Sequence, residues 1–178
     1  MAYDLLDQLV EITGRPVRAL LAGPAGVGKT ALAQRVSGRY QSIKHIDHDA
    51  MKNWDNDTCP CRPAFFDPDR CFGKAIASLE EFVIDVGAGT VFGELRENQE
   101  KLEKMLAFKR VHSLKIVTMM ASEATIRERF LCKQGTSFTD FKAAWHEWQS
   151  ACQWWSKCHD YELWVGKQLG HEFQEHNT

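Results

Sequence analysis

Residues 23 to 30 read Gly-Pro-Ala-Gly-Val-Gly-Lys-Thr and match the spacing G-x-x-x-x-G-K-[ST]. An apolar run at residues 17–22 precedes this stretch, and a helix-forming run at residues 30–36 follows it. Glycines let backbone N–H groups approach an anion without a Cβ in the way, and a helix N-terminus adds partial positive charge. The order of strand, glycine-rich loop and helix therefore predicts a loop that surrounds a polyphosphate.

This loop predicts a site for a nucleoside triphosphate, which we expect to be ATP together with Mg²⁺. Lys29 would reach the β- and γ-phosphates, and the Thr30 hydroxyl would bind the metal ion. An ordinary glycine-rich turn is the alternative, and the strand and helix patterns on either side argue against it. The predicted nucleotide contacts are Gly23, Pro24, Ala25, Gly26, Val27, Gly28, Lys29, Thr30 and Ala31.

The bulk properties of the chain exclude several classes of protein. Its 178 residues predict a single domain over residues 1–178, and a net charge of −2 gives no general attraction to nucleic acid. The longest apolar runs fall well short of the ~20 residues that a membrane span needs. The N-terminus carries acidic residues where a signal peptide carries basic ones. We therefore expect a cytoplasmic protein with neither nucleic-acid nor membrane partners.

Strand and helix patterns alternate along the chain, which predicts a three-layer α/β/α fold around a five-stranded parallel sheet. Residues from about 50 to 71 are rich in Asn, Asp, Pro and Cys and predict an irregular insert on the substrate side. The predicted strands are residues 17–22, 42–47, 82–86, 113–119 and 161–165. The predicted helices are residues 3–13, 30–36, 71–81, 94–109, 122–133 and 138–157.

Carboxylates lie at the predicted strand ends, where ligands of parallel sheets bind. Asp85 closes an apolar strand, as a Mg²⁺-binding carboxylate opposite Thr30 would; local capping of N–H groups is the alternative. Asp47 and Asp49 share one face if their strand continues. We expect Asp47 to serve the metal ion and Asp49 to accept the proton of a substrate hydroxyl, while a solvated turn is the alternative.

Phosphoryl transfer also needs cations that stabilise the charge on the moving group. Arg127 and Arg129 precede a break in the helical pattern, and they predict a lid over residues 127–140 that closes over the triphosphate. A solvated helix face is the alternative for both arginines. Arg62 and Arg70, in the irregular insert, are candidates for binding an anionic acceptor substrate.

The motifs together resemble the shikimate kinase and gluconate kinase group, which belongs to the nucleoside-monophosphate-kinase-like P-loop kinases. The residues that carry the resemblance are GPAGVGKT after the first strand, D-x-D after the second and G-x-G after the third. It spans roughly residues 1–135 and implies Asp47 near magnesium and Asp49 on the substrate. It also implies an acceptor site that includes Gly87, Ala88 and Gly89. The implied activity is transfer of the γ-phosphate of ATP to a hydroxyl of a small metabolite.

The chain also departs from shikimate kinases. Ala88 interrupts their glycine triplet, Asp85 is a carboxylate that they lack, and no Arg-Pro-Leu sequence follows Arg129. Other functions stay open: a nucleoside or nucleotide kinase, and a nucleotide-binding ATPase or switch that acts on protein partners. A kinase of an antibiotic or of a sugar nucleotide is a further alternative. The sequence contains neither the Asn-Lys-x-Asp base-recognition motif of guanine switches nor the signature of transporter ATPases.

Aromatic side chains recur at three- and four-residue steps in the last predicted helix, residues 138–157. This spacing predicts a packing seam, in the core or toward a partner, and allows either a monomer or a homodimer. A platform for base stacking is the alternative. The residues of the seam are Phe138, Phe141, Trp145, Trp148, Cys152 and Trp155.

The six cysteines are expected to be free thiols. Cys59, Cys61 and Cys71 are candidates for a zinc site with His45 or His48, although the C-x-C spacing is unlike that of ordinary zinc modules. Without such a metal, we interpret both histidines as surface or packing residues.

Overall fold

Helices and strands alternate along the described part of the chain. The structure, a computed structural model, describes residues 4–47, 71–86, 99–133 and 135–166. The helices in these ranges are α1 (Leu5–Thr13), α2 (Lys29–Arg39), α3 (Cys71–Ala77), α4 (Gln99–Val111), α5 (Glu123–Leu131) and α6 (Phe138–Trp155). The strands are β1 (Arg18–Ala22), β2 (Ile43–Asp47), β3 (Glu81–Asp85), β4 (Lys115–Met120) and β5 (Tyr161–Trp164).

The five strands form one parallel sheet in the order β2-β3-β1-β4-β5. The predicted five-stranded parallel sheet is confirmed. Asp85 is in register with Leu21 of β1 on one side and with Asp47 of β2 on the other. The carboxyl ends of β2, β3 and β1 therefore lie side by side, directly below the loop at residues 23–28.

Each face of the sheet packs against a layer of helices. Leu21 and Val83 lie in a cluster with residues of α1, α2 and α5, of which Val36 is one, and with Phe141 near the start of α6. Leu20 and Ile84 lie in a second cluster with residues of α3, α4 and α6. The alternation arises because successive side chains of a strand point to opposite faces. The predicted three-layer α/β/α arrangement is confirmed.

Helix α6 supplies large aromatic rings to this core. Ser137 and Asp140 form a capping box that begins the helix. Phe141, Trp148 and Trp155 are each 1–2% exposed, so the seam predicted from their spacing is a packing seam. Base stacking, the alternative for this stripe, is wrong for these three rings because they lie inside the protein.

One predicted boundary is wrong, because the helix expected at 71–81 ends at Ala77 and Glu81 begins β3. The buried Glu81 carboxylate accepts hydrogen bonds from Arg15 Nη1 at 2.5 and 2.6 Å, Ser42 Oγ at 2.5 Å and Val17 N at 3.0 Å. Burial by itself raises the pKa of Glu81, but these bonds and the Arg15 charge lower the pKa below its ordinary value. Contacts with distant residues therefore draw Glu81 into the sheet.

Cys132, Cys152 and Cys158 are free thiols, as predicted for the cysteines of this chain. Burial raises the pKa of the Cys158 thiol to about 12, which makes it a packing group and not a nucleophile. Within the described ranges, no group of three or more His, Cys, Asp and Glu side chains is arranged to hold a metal ion. Cys59, Cys61 and His48 lie outside those ranges, so the zinc hypothesis stays a prediction.

Candidate nucleotide site

The glycine-rich loop connects β1 to α2 and owes its shape to three glycines. Gly23, Gly26 and Gly28 have φ angles of +146°, +87° and +105°, values that side chains with a Cβ rarely adopt. Gly28 is the N-cap of α2, and no side chain of the described residues caps this helix. A helix start without a side-chain cap is suited to an anion bound in the loop.

Close packing also requires two of these glycines. A Cβ at Gly23 would lie 2.6 Å from the backbone oxygen of Met119, and one at Gly26 would lie 3.3 Å from that of Ile126 and 3.4 Å from the Phe130 nitrogen. Strand β4 and helix α5 therefore support the loop from behind. A side chain at either position would push the loop away from the neighbouring backbone.

Lys29 is the first residue of α2, and its side chain contacts the loop. Its Nζ donates to the carbonyl oxygens of Gly23 at 2.8 Å and Pro24 at 3.0 Å, and the residue is 8% exposed. These bonds hold the ammonium group against the backbone at the start of the loop. An ammonium group there provides a positive charge, with three donors, toward an anion in the loop.

Thr30 and Asp85 meet at the mouth of the loop. The Thr30 hydroxyl donates to Asp85 Oδ2 at 2.5 Å, and His45 Nε2 lies 2.8 Å from Oδ1. Burial by itself raises the pKa of Asp85, but the bonds from His45 and Thr30 and the charges of His45 and Lys29 lower the pKa below its ordinary value. Asp85 is therefore an anion within the fold, and each of its two oxygens is bonded to a side chain.

Asp47 adds a second carboxylate beside this pair, because it is in register with Asp85 on the neighbouring strand. Alternate residues of a strand share one face, so Asp47 lies on the face of Ile43, and Asp85 on the face of Val83. Ile43 and Val83 belong to the core cluster on the side that α2 covers. A hydroxyl and one or two carboxylates are the ligands that Mg²⁺ combines with phosphate oxygens and water. The donor set of this site therefore fits magnesium.

The two arginines predicted as a lid lie differently on α5. Arg129 Nη1 donates to the Val27 carbonyl oxygen of the loop at 3.2 Å. Arg127 is exposed. It precedes Arg129 by two residues, which turn an α-helix by about 200°, so the two side chains point to nearly opposite sides of α5. Of the two side chains, the structure brings Arg129 to the loop. The predicted lid range 127–140 comprises the end of α5, a turn and the start of α6, with residue 134 outside the described ranges.

The predicted acceptor side of the site falls outside the described residues. These assignments therefore stay predictions from the sequence, and they concern Asp49, Arg62, Arg70, Gly87, Ala88 and Gly89.

His45 is the residue of the site that sequence reasoning assigned to the surface or to packing. Its side chain is 15% exposed and it contacts Asp85. The signal that could have found it is the period of two along β2, because His45 stands two residues before Asp47 and therefore faces the same way. The rule that places Asp47 and Asp49 on one face thus includes His45 as well.

A parallel sheet of this strand order, with a phosphate loop after its first strand and helices on both faces, is a P-loop kinase-like α/β fold. A shikimate kinase from Bacteroides thetaiotaomicron has a similar structure, with a TM-score of 0.54 and 16% sequence identity over 88% of this chain and 90% of that one. The resemblance to shikimate kinases is thereby confirmed for the fold. The tunicamycin resistance protein of Deinococcus radiodurans matches with a TM-score of 0.48 and 15% identity, over 76% of this chain and 80% of that one.

No protein-family model and no curated protein matches the sequence. Among the helices of the described ranges, none has the length and apolar character to cross a bilayer.

Proposed function

We propose that this chain is an ATP-dependent phosphotransferase that moves the γ-phosphate of ATP to a hydroxyl of a small metabolite. The observation that carries the proposal is the contact between Thr30 and Asp85 beside the Lys29 ammonium group, at the mouth of a phosphate loop. A kinase-like fold with this combination at the carboxyl ends of its strands is equipped for phosphoryl transfer.

The described residues divide the work of binding the triphosphate. The N–H groups at the start of α2 would bind phosphate oxygens, and Lys29 would exchange its carbonyl partners for the β- and γ-phosphates. Thr30 and Asp85, with Asp47 beside them, would hold Mg²⁺. Magnesium, when bound, neutralises charge on the phosphates during transfer. Arg129, already at the loop, would add positive charge over the phosphates, and Arg127 would join it when the lid closes.

The acceptor side completes the proposed reaction. Asp49 would take the proton of the acceptor hydroxyl as its oxygen forms a bond to the γ-phosphorus, and the bond from that phosphorus to the bridging oxygen of ADP breaks. Arg62 and Arg70 would bind an anionic group of the acceptor, and residues 87–89 would form the floor beneath it. Exclusion of water by the lid would keep ATP from simple hydrolysis.

A nucleoside or nucleotide kinase is the second candidate, since the insert at about 50–71 has the length to bind a monophosphate and Asp85 is a carboxylate of the nucleotide-kinase type. An ATPase or switch that acts on protein partners is the third. The monomeric or homodimeric state, the cytoplasmic location and the lack of nucleic-acid partners stay predictions from the sequence.

A ligand screen tests the proposal. The melting temperature would be measured with an unreactive ATP analogue and Mg²⁺, alone and with hydroxylated metabolites or nucleoside monophosphates. A ligand at 100 times its Kd stabilises the folded state by about 2.7 kcal/mol, so binding raises the melting temperature. Transfer of label from γ-labelled ATP to each stabilising compound would then be measured. A metabolite that accepts label supports the proposal, and a nucleoside monophosphate supports the second candidate.

Two variants separate the parts of the site. Lys29→Ala should remove both the nucleotide-dependent stabilisation and the transfer of label, whereas the exposed Lys157→Ala should change neither. Asp49→Asn should retain ATP binding and lose transfer. If no nucleotide raises the melting temperature of the wild-type protein, or if a protein partner alone stimulates ATP hydrolysis, the proposed function is wrong.

A further inference from the structure

His45 is a second polar side chain, besides Thr30, that contacts the Asp85 carboxylate. Its Nε2 lies 2.8 Å from Asp85 Oδ1, while Thr30 bonds the other carboxylate oxygen, Oδ2. The His45 and Asp85 side chains are 15% and 6% exposed. The contact between the imidazole and the carboxylate is therefore largely shielded from solvent.

Strand register explains how the imidazole reaches this carboxylate. His45 is in register with Val83, and Asp85 is two residues farther along β3 on the same face. The His45 ring therefore reaches diagonally from β2 to β3, toward the carboxyl end of the sheet. A shorter side chain at position 45 would not reach the Asp85 carboxylate, because the pairing of β2 with β3 fixes the distance between their backbones.

The chemistry of the groups determines the direction of the hydrogen bond. An ionised carboxylate only accepts, so His45 Nε2 donates to Oδ1 just as Thr30 donates to Oδ2. With a donor on each oxygen, the Asp85 carboxylate has one preferred orientation. Hydrogen bonds of this kind to the carboxylates that bind a metal ion set their orientation and, when lost, typically lower metal affinity about 10- to 100-fold.

We propose that His45 is a positioning residue that holds the Asp85 carboxylate against Thr30, so that both oxygen donors are oriented for Mg²⁺ before the nucleotide binds. The inference rests on the proposed function, because it concerns the magnesium that accompanies ATP. It assigns His45 no contact with substrate. A side chain that merely filled space would stabilise the fold without affecting the metal ion.

The experiment compares ATP affinity, by titration calorimetry, in excess Mg²⁺ and in EDTA. In the wild-type protein the ratio of the two affinities measures the contribution of the metal. His45→Phe keeps the ring volume but has no donor, and it should lower that ratio about 10-fold or more while the affinity in EDTA stays unchanged. His45→Gln retains an N–H donor at the end of a chain of similar reach and should recover most of the ratio.

Lys44→Ala is the matched control, because Lys44 is the exposed neighbour of His45 on β2 and should leave both affinities unchanged. A His45→Phe protein with the wild-type ratio overturns the inference and leaves the proposed function intact. An equal loss of affinity with and without metal also overturns it, since that is the effect of a structural role alone. A wild-type protein that does not bind ATP at all contradicts the proposed function itself.

Discussion

The Thr30 hydroxyl donates a 2.5 Å hydrogen bond to Asp85, although 55 residues separate the two in the chain. Thr30 lies in the first turn of α2, directly after the glycine-rich loop, and Asp85 ends β3. Their contact joins the loop, through which the nucleotide is expected to bind, to the carboxylate expected to hold its metal ion. The relationship therefore makes a direct prediction about metal-dependent binding.

Replacing Thr30 by Val keeps a β-branched side chain of similar size but removes the hydroxyl. We expect the benefit of Mg²⁺ for ATP affinity to fall at least about 10-fold, because one oxygen donor is lost and Asp85 loses its partner. Thr30→Ser keeps the hydroxyl and should remain near wild type. Titration of both variants with ATP, in Mg²⁺ and in EDTA, measures the ratio of the two affinities. Equal ratios for Thr30→Val and Thr30→Ser would contradict the role of the Thr30 hydroxyl in metal binding.

Gly23→Ala should disrupt the loop. The new Cβ would lie 2.6 Å from the Met119 carbonyl oxygen, at a φ of +146° that alanine rarely adopts. Strain of this kind typically lowers the free energy of unfolding by about 1–3 kcal/mol. Because the loop backbone would be displaced, the variant should also bind nucleotide more weakly. Urea denaturation and nucleotide-dependent melting temperature measure the two effects.

Gly38→Ala is the matched control for this substitution, because Gly38 lies in α2 and nothing lies within 4 Å of the point that a Cβ there would occupy. Alanine there should raise the free energy of unfolding by about 0.5–1 kcal/mol without affecting nucleotide binding. If Gly23→Ala is as stable and as active as Gly38→Ala, the loop does not rest on β4 as described.

Glu81→Gln should destabilise the protein in a pH-dependent way. Arg15, Ser42 and the Val17 N–H all donate to this buried carboxylate, whereas a neutral amide offers a single oxygen acceptor. Arg15 is 44% exposed, so solvent weakens its attraction, and we expect a loss of about 1–2 kcal/mol at pH 7. The exposed Glu80→Gln should change the free energy of unfolding by no more than about 0.5 kcal/mol.

The sign of the pH dependence follows from the lowered pKa of Glu81 in the folded state. The stabilisation is fully present above the pKa of an unfolded glutamate, about 4.3, and is lost as the pH falls through the lower folded-state pKa. The difference in free energy of unfolding between the wild-type protein and Glu81→Gln should therefore become smaller toward low pH. Urea midpoints measured from pH 7 downward test this, and a difference independent of pH would refute the ionic role.

Trp148→Ala tests the packing role of α6. The ring is 2% exposed within the cluster that also contains Phe108, so its removal leaves a cavity and should cost about 3–5 kcal/mol. Phe138, on the same helix, is 48% exposed, and Phe138→Ala should cost no more than about 1 kcal/mol. Chemical denaturation measures both, and similar losses would contradict the burial of the seam.

Local patterns in the sequence were sufficient for the fold. Short strand patterns predicted all five strands, and the spacing of aromatic residues predicted α6, because burial imposes its periodicity over a few consecutive residues. The helix predicted to run through Glu81 was wrong for a non-local reason. Arg15 and Ser42, 66 and 39 residues earlier, bind the Glu81 side chain at the start of β3.

The site divides in the same way. The sequence alone determined the phosphate loop, because its glycines and the helix that follows act through neighbouring residues. Only the tertiary structure decided that His45 and Thr30 share the Asp85 carboxylate, and that Arg129, rather than Arg127, reaches Val27 of the loop. Those contacts depend on strand register and on the rotation of a helix about its axis, and packing between distant segments sets both.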